Sequence, residues 1–234
     1  MAAKVTDDYS SFPIPIQEVM PFVEGGVTEL RNHWQIHYAL FMEDKAKTSF
    51  YAESFGPMLG IFQNLLAKEM ILAIGRLTDE DKINKKAPHK SQHNLSIWRL
   101  KEAIPFAKSN DFVIKVESTS KAIKKITSNP RMRRHKEIAH SDLNVSLGKS
   151  PAPTVLFKDI RSTLETMEVF LNLFHWEFAR TTVGYDSLSS GMLIENALMT
   201  AIKSKVYDEL ETEKIIPLGE WERRVDKWPW WKWH

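Results

Sequence analysis

The stretch Arg131-Met132-Arg133-Arg134-His135-Lys136-Glu137-Ile138-Ala139-His140-Ser141-Asp142 brings three arginines, a lysine and two histidines together within ten residues. These side-chain types suit cleavage of a phosphodiester without a metal. A guanidinium can hold the non-bridging oxygens and stabilise charge as it builds. An imidazole that titrates near neutrality can take the proton of a ribose 2′-hydroxyl or return one to the leaving 5′-oxygen. Asn129-Pro130, just upstream, reads as a helix N-cap followed by proline at the first helical position. That places the arginines in a first turn, where stability alone would favour acids, and points to an anion held at the helix start.

Spacing alone does not single out this pair. Arg134 and His140 are six residues apart, which on a continuous α-helix leaves them about 120° and about 9 Å apart. They would approach only if the helix frayed near Ala139. Arg133 satisfies the same loose pattern, and Arg31-Asn32-His33-Trp34-Gln35-Ile36-His37 repeats it on another segment. A solvated basic helix is the competing reading of the whole cluster.

The elements that must position these residues are helical. Val19, Val23, Val27, Leu30, Trp34, Tyr38 and Phe41 step by three or four, although Gly25-Gly26 interrupts the early part. Phe55, Leu59, Phe62, Leu66, Met70, Ala73 and Leu77 do the same in a segment apolar nearly all round, as suits the centre of a bundle. Residues 79–93 are charged, contain Pro88 and read as a long loop. Asn94 is placed to cap a short helix through Leu95, Trp98 and Ile104. Another helix is expected over 112–127, with strand as an alternative for Phe112–Val116, and the basic segment forms a short helix from Pro130 to about Ala139. After a turn-rich connector to Pro153, Leu156, Ile160, Leu164, Met167, Leu171, Phe174 and Phe178 give the clearest stripe, and a last helix runs from about Ser189 to Leu210. The expected fold is an all-α, mostly antiparallel up-and-down bundle. The expected division is a flexible arm over 1–15, a bundle over 16–182, and a C-terminal helix with a Trp-rich tail over 183–234.

Composition narrows the chemistry. The 234 residues include no cysteine, which removes disulfides, thiolate metal sites and cysteine nucleophiles. The net charge of +2 is too balanced to mark a nucleic-acid binder on bulk charge, so the clustering of Lys121, Lys124, Lys125 and Arg131 to Lys136 carries that signal instead. No unbroken apolar run reaches the roughly 18 residues of a membrane span. The opening residues lack the apolar core of a signal peptide. The expectation is a cytoplasmic protein with no stable membrane insertion. His33/His37 and His89/His93 have the four-residue offset of a zinc pair but no matched third ligand, so no metal and no other cofactor is expected.

The segment from Arg134 to Asp142 resembles the signature of the HEPN superfamily, in which an arginine, a polar residue and four or five further residues precede a histidine. Ala139-His140-Ser141-Asp142 is similar to the abortive-infection U-type branch. Upstream, His33-Trp34-Gln35-Ile36, Gly75-Arg76-Leu77-Thr78-Asp79 and Asn94-Leu95-Ser96-Ile97 follow in the order of that branch, over roughly residues 16–180.

The resemblance implies a helical bundle that pairs into a homodimer with a composite active site. It also implies a metal-independent endoribonuclease that leaves 2′,3′-cyclic phosphate ends, often as a defence toxin. Arg134 would then bind the scissile phosphate and His140 transfer protons, with His135 as a hydrogen-bonding neighbour. Arg131, Arg133 and Lys136 would contact the RNA backbone. Asp142 would orient His140, or else be an exposed loop acid. Arg76 and Asp79, three apart at the end of a helix, would border the cleft or form a structural ion pair. The alternative is an inactive module of the same superfamily that binds RNA, a nucleotide, or a partner nucleotidyltransferase or antitoxin. A weaker third reading is a helical scaffold whose basic patch docks an acidic partner.

The tail Trp228-Pro229-Trp230-Trp231-Lys232-Trp233-His234 falls outside the resemblance. Its indoles suit stacking on RNA bases, a membrane interface, or packing back on the bundle or on a second subunit. The last is the plainest expectation.

Overall fold

A computed structural model describes residues 9–80, 94–105, 109–139, 154–185, 189–215 and 217, with backbone alone for 137–139. Among the described residues the fold is entirely helical. The helices are α1 (Ile14–Phe41), α2 (Lys45–Phe55), α3 (Pro57–Thr78), α4 (Ile97–Glu102), α5 (Asn110–Ile126), α6 (Ser128–Arg133), α7 (Phe157–Ala179) and α8 (Ser189–Thr212). A 3-10 turn, Tyr9–Ser11, precedes α1, and a π-helical turn, Arg134–Ala139, follows α6.

The apolar stripes become the core. Met20, Val23, Val27, Leu30 and Trp34 of α1 meet Met70, Ile74 and Leu77 of α3 and Leu164, Met167, Phe170, Leu171 and Phe174 of α7. A fully buried Leu or Phe gains roughly 1.5–3 kcal/mol over an exposed one, so this seam carries the bundle. α1 and α3 run antiparallel and close: a Cβ added at Gly26 would stand 2.9 Å from Leu77 Cδ2. α1 and α7 are antiparallel too, since Glu24 meets His175 and Arg31 meets Glu168. So are α5 and α7, where Phe112 packs on Phe174 and Phe178. α8 instead runs parallel to α1. Ser190 bonds Asn32 at its start, and Ile202 joins Leu40 and Leu59 in a second cluster further along.

Several local details differ from the sequence reading. α2 was not expected. It starts because Asp44 accepts hydrogen bonds from the amides of Ala46 and Lys47, and it buries only Tyr51, so no apolar stripe announces it. The chain then turns at Gly56, whose φ of 53° suits glycine, and enters α3 through Pro57. Residues 9–15 are seated on the bundle, with Phe12 buried in the core. Phe112–Val116, by contrast, is helical as expected rather than a strand. α3 has the length and apolarity to cross a membrane. Here it packs on α1, α2, α4, α6 and α7, while Met58, Ile61 and Leu65 of its first half are exposed.

The core also holds a polar centre. Glu24 Oε2 accepts from the Tyr9 hydroxyl at 2.7 Å and Oε1 from the Tyr185 hydroxyl at 2.8 Å, with His175 Nε2 at 3.2 Å. Burial alone would raise the Glu24 carboxyl, but the hydrogen bonds from His175, Tyr9 and Tyr185 outweigh it and hold it below the usual range. Burial, followed by the Glu24 charge, pushes the Tyr185 phenol far up.

Candidate functional site

The basic segment packs onto the C-terminal part of α3. Thr78 bonds its own helix through Ile74 O at 2.7 Å, and its carbonyl accepts the Trp98 indole N–H at 2.9 Å. Asp79 follows as the C-cap of α3 and accepts from Arg134 Nη1 at 2.6 Å. Glu80 pairs with Lys124 of α5 at 2.7 Å, and its carbonyl accepts from the Asn94 side chain at 2.8 Å. Lys124 also stands over the Trp98 ring, 5.1 Å from its centroid. Three consecutive residues, Thr78-Asp79-Glu80, thus tie α4, α5 and the π turn to one point.

Arg134 opens the π-helical turn, directly after the last residue of α6. Its side chain crosses Gly75, one turn before Asp79 on α3. Nε is buried against this surface without a hydrogen-bond partner. The side chain is 22% exposed. Because π turns close i→i+5 bonds, the α-helical separation expected for Arg134 and His140 does not apply to this segment. His140 and Asp142 lie outside the described residues, as do residues 81–93 with His89 and His93, the 141–153 connector and the tail from 218 onward.

The N-cap expected at Asn129 is incorrect. Thr127 ends α5 and starts α6, its hydroxyl turned back to Ile123 O at 2.7 Å, which puts Pro130 at the third helical position, buried. The basic residues therefore occupy the end of a short helix, and an anion held by a helix N-terminus is not what the fold offers. Asn94 does not cap α4 either; Ser96 holds that position.

Among the other expected site residues, His135 is exposed, and Arg131, Arg133 and Lys136 are half-buried. Arg131 lies close enough to Glu80 to help lower its carboxyl, an effect led by the hydrogen bond from Lys124. Arg76 is exposed, and the acid three residues beyond it is paired with Arg134. His37 is wholly buried among Trp34, Phe41 and Phe157, with neither ring nitrogen bonded. Burial alone lowers its pKa from 6.5 to about 4, so it is a neutral core residue. The described residues hold no cluster of three or more His, Asp or Glu side chains fit for a metal.

Sequence reasoning missed the Glu24 centre, because a glutamate reads as solvated. Its register was the available signal: it stands four after Met20 and three before Val27, on the buried face of α1. A groove of about 720 Å³ between α1, α7 and α8 is lined by Trp34, Tyr38, Arg161, Glu165 and Glu195 among others and contains none of the basic segment.

The family model of AbiU2, a HEPN family, matches residues 20–197. No curated protein and no solved structure matches the chain.

Proposed function

This chain belongs to the HEPN AbiU2 family, and from that premise we propose that it is a metal-independent endoribonuclease of abortive-infection defence. The observation that carries the reading is the seat of Arg134. It is anchored to Asp79, flanked in sequence by Arg131, Arg133 and Lys136, and set at the start of a π turn that precedes His140. π turns of this kind recur at functional sites.

In the proposed reaction Arg134 grips the non-bridging oxygens of the scissile phosphate. His140 moves the proton as the ribose 2′-hydroxyl attacks the adjacent phosphorus. The P–O5′ bond breaks, the 5′-oxygen leaves with a proton, and a 2′,3′-cyclic phosphate remains. His135 hydrogen-bonds beside the reacting groups and Asp142 orients His140. Arg131, Arg133 and Lys136 hold the RNA backbone, while Asp79 positions Arg134 and Arg76 borders the cleft. A homodimer with two such sites across a shared cleft, acting on RNA in the cytoplasm and restrained by an antitoxin or nucleotidyltransferase partner, completes the proposal.

The test is incubation with total cellular RNA in EDTA, wild type beside His140→Ala, with analysis of the new ends. Cyclic phosphate ends from the wild type alone are expected, and all-deoxy substrate should stay intact. Tight RNA or protein binding with no cleavage and no toxicity would favour the inactive binding module instead.

A further inference from the structure

We infer that Gly75 is a positioning residue for Arg134, its missing side chain forming the slot across which that arginine reaches Asp79. The inference rests on the RNA-cleaving reading for its catalytic consequence, though not for its geometry. A Cβ built on Gly75 would overlap Arg134 Cδ and stand 2.7 Å from Nη1 and 2.9 Å from Nε. None of these atoms is a loose chain end. Nη1 is held by Asp79 at 2.6 Å, Nε is buried without a partner, and Cδ lies in mid-chain. A methyl group at position 75 must therefore lift the whole guanidinium from α3.

The arrangement follows from helix geometry. Gly75 and Asp79 are four residues apart, so slot and carboxylate share one face of α3, one turn from each other. A side chain lying over the first delivers its head to the second. With Nη1 on Asp79 and Nε covered, Nη2 is the nitrogen left for an incoming phosphate oxygen. Asp79 thus fixes one end of the guanidinium and Gly75 fixes its plane. Glycine weakens a helix interior relative to alanine, so this position gives up helix stability for the close approach. Gly60, on the same helix, has nothing within 4 Å of its added Cβ and serves as the control.

Thermal unfolding of the full chain tests the slot, using Gly75→Ala in the wild-type and Arg134→Ala backgrounds. Gly75→Ala is expected to lower the melting temperature of the wild type but not that of Arg134→Ala, where the slot is vacant; that coupling is the signature of direct contact. Should Gly75→Ala alone fail to fold, a folded double variant supports the inference, and failure of both overturns it. An equal shift in both backgrounds overturns it as well.

Cleavage kinetics then read positioning. At saturating RNA, Gly75→Ala should lose about 100-fold in kcat, the order a misplacement of about 1 Å costs, with KM little changed. Gly60→Ala should cleave as the wild type does. A folded Gly75→Ala with wild-type kcat contradicts the positioning role. If Arg134→Ala itself cleaves as the wild type does, the RNA-cleaving reading fails, while the unfolding result still decides the slot.

Discussion

Two segments of this chain carry an arginine six residues before a histidine, and the fold treats their arginines differently. Arg31 and His37 lie on the regular α-helix α1. Arg31 is forked onto Glu168 through Nε and Nη2, tying α1 to α7, and His37 is sealed among aromatic rings. Arg134 bonds one carboxylate through a single nitrogen, at the start of a π turn, and its side chain is 22% exposed against 11% for Arg31. Equal spacing therefore says little about chemistry. On the proposed function, what separates the brace from the reagent is how far the polar atoms are used up inside the fold.

The sharpest way to break this contrast is to delete each histidine. His140→Ala should lower cleavage by about 10²–10⁴-fold, the usual share of a general acid–base group, with unchanged helicity and melting behaviour. His37→Ala should leave the reaction to whatever protein is folded and cost about 2–4 kcal/mol in chemical denaturation, as for other large core truncations. Loss of cleavage by His37→Ala at temperatures where it is fully folded would reverse the assignment.

A smaller effect concerns pH. The unfolded imidazole of His37 titrates near 6.5 and the folded one near 4, so between these values the unfolded chain binds more protons. Its contribution to stability is present above 6.5 and is lost as pH falls towards 4, up to a ceiling of about 3 kcal/mol. His37→Phe should flatten that part of the stability profile; an unchanged slope means that other groups, the Glu24 centre among them, govern it. Smallest of all, Gly60→Ala should stabilise the protein by about 0.5–1 kcal/mol through helix propensity, which a melting curve resolves.

The long elements could be read from the sequence because one face of each is buried, and burial writes a 3.6-residue period. The stripes of α1, α3 and α7 give their helices and the all-α class. α2 has no such period, having one buried residue, and its signal was the Asp44 cap alone. The basic segment was conspicuous, but its setting was not. Asn129-Pro130 suggested a helix start, whereas α5 and α6 meet at Thr127 two residues earlier. Asp79 attracted notice beside Arg76, yet its bond is to a residue 55 positions away. Local spacing carries no information about such a pair. Gly75, likewise, reads only as a weak point in a helix until a side chain from another element is seen lying over it.

Cleavage of one defined RNA by Arg134→Lys and Arg31→Lys, each under conditions where it is folded, compares the two arginines most directly. The account predicts that Arg134→Lys loses about 100-fold or more, because a lysine cannot reproduce the guanidinium's grip on phosphate, while Arg31→Lys stays within about threefold. Equal losses, or a greater loss at Arg31, would contradict it.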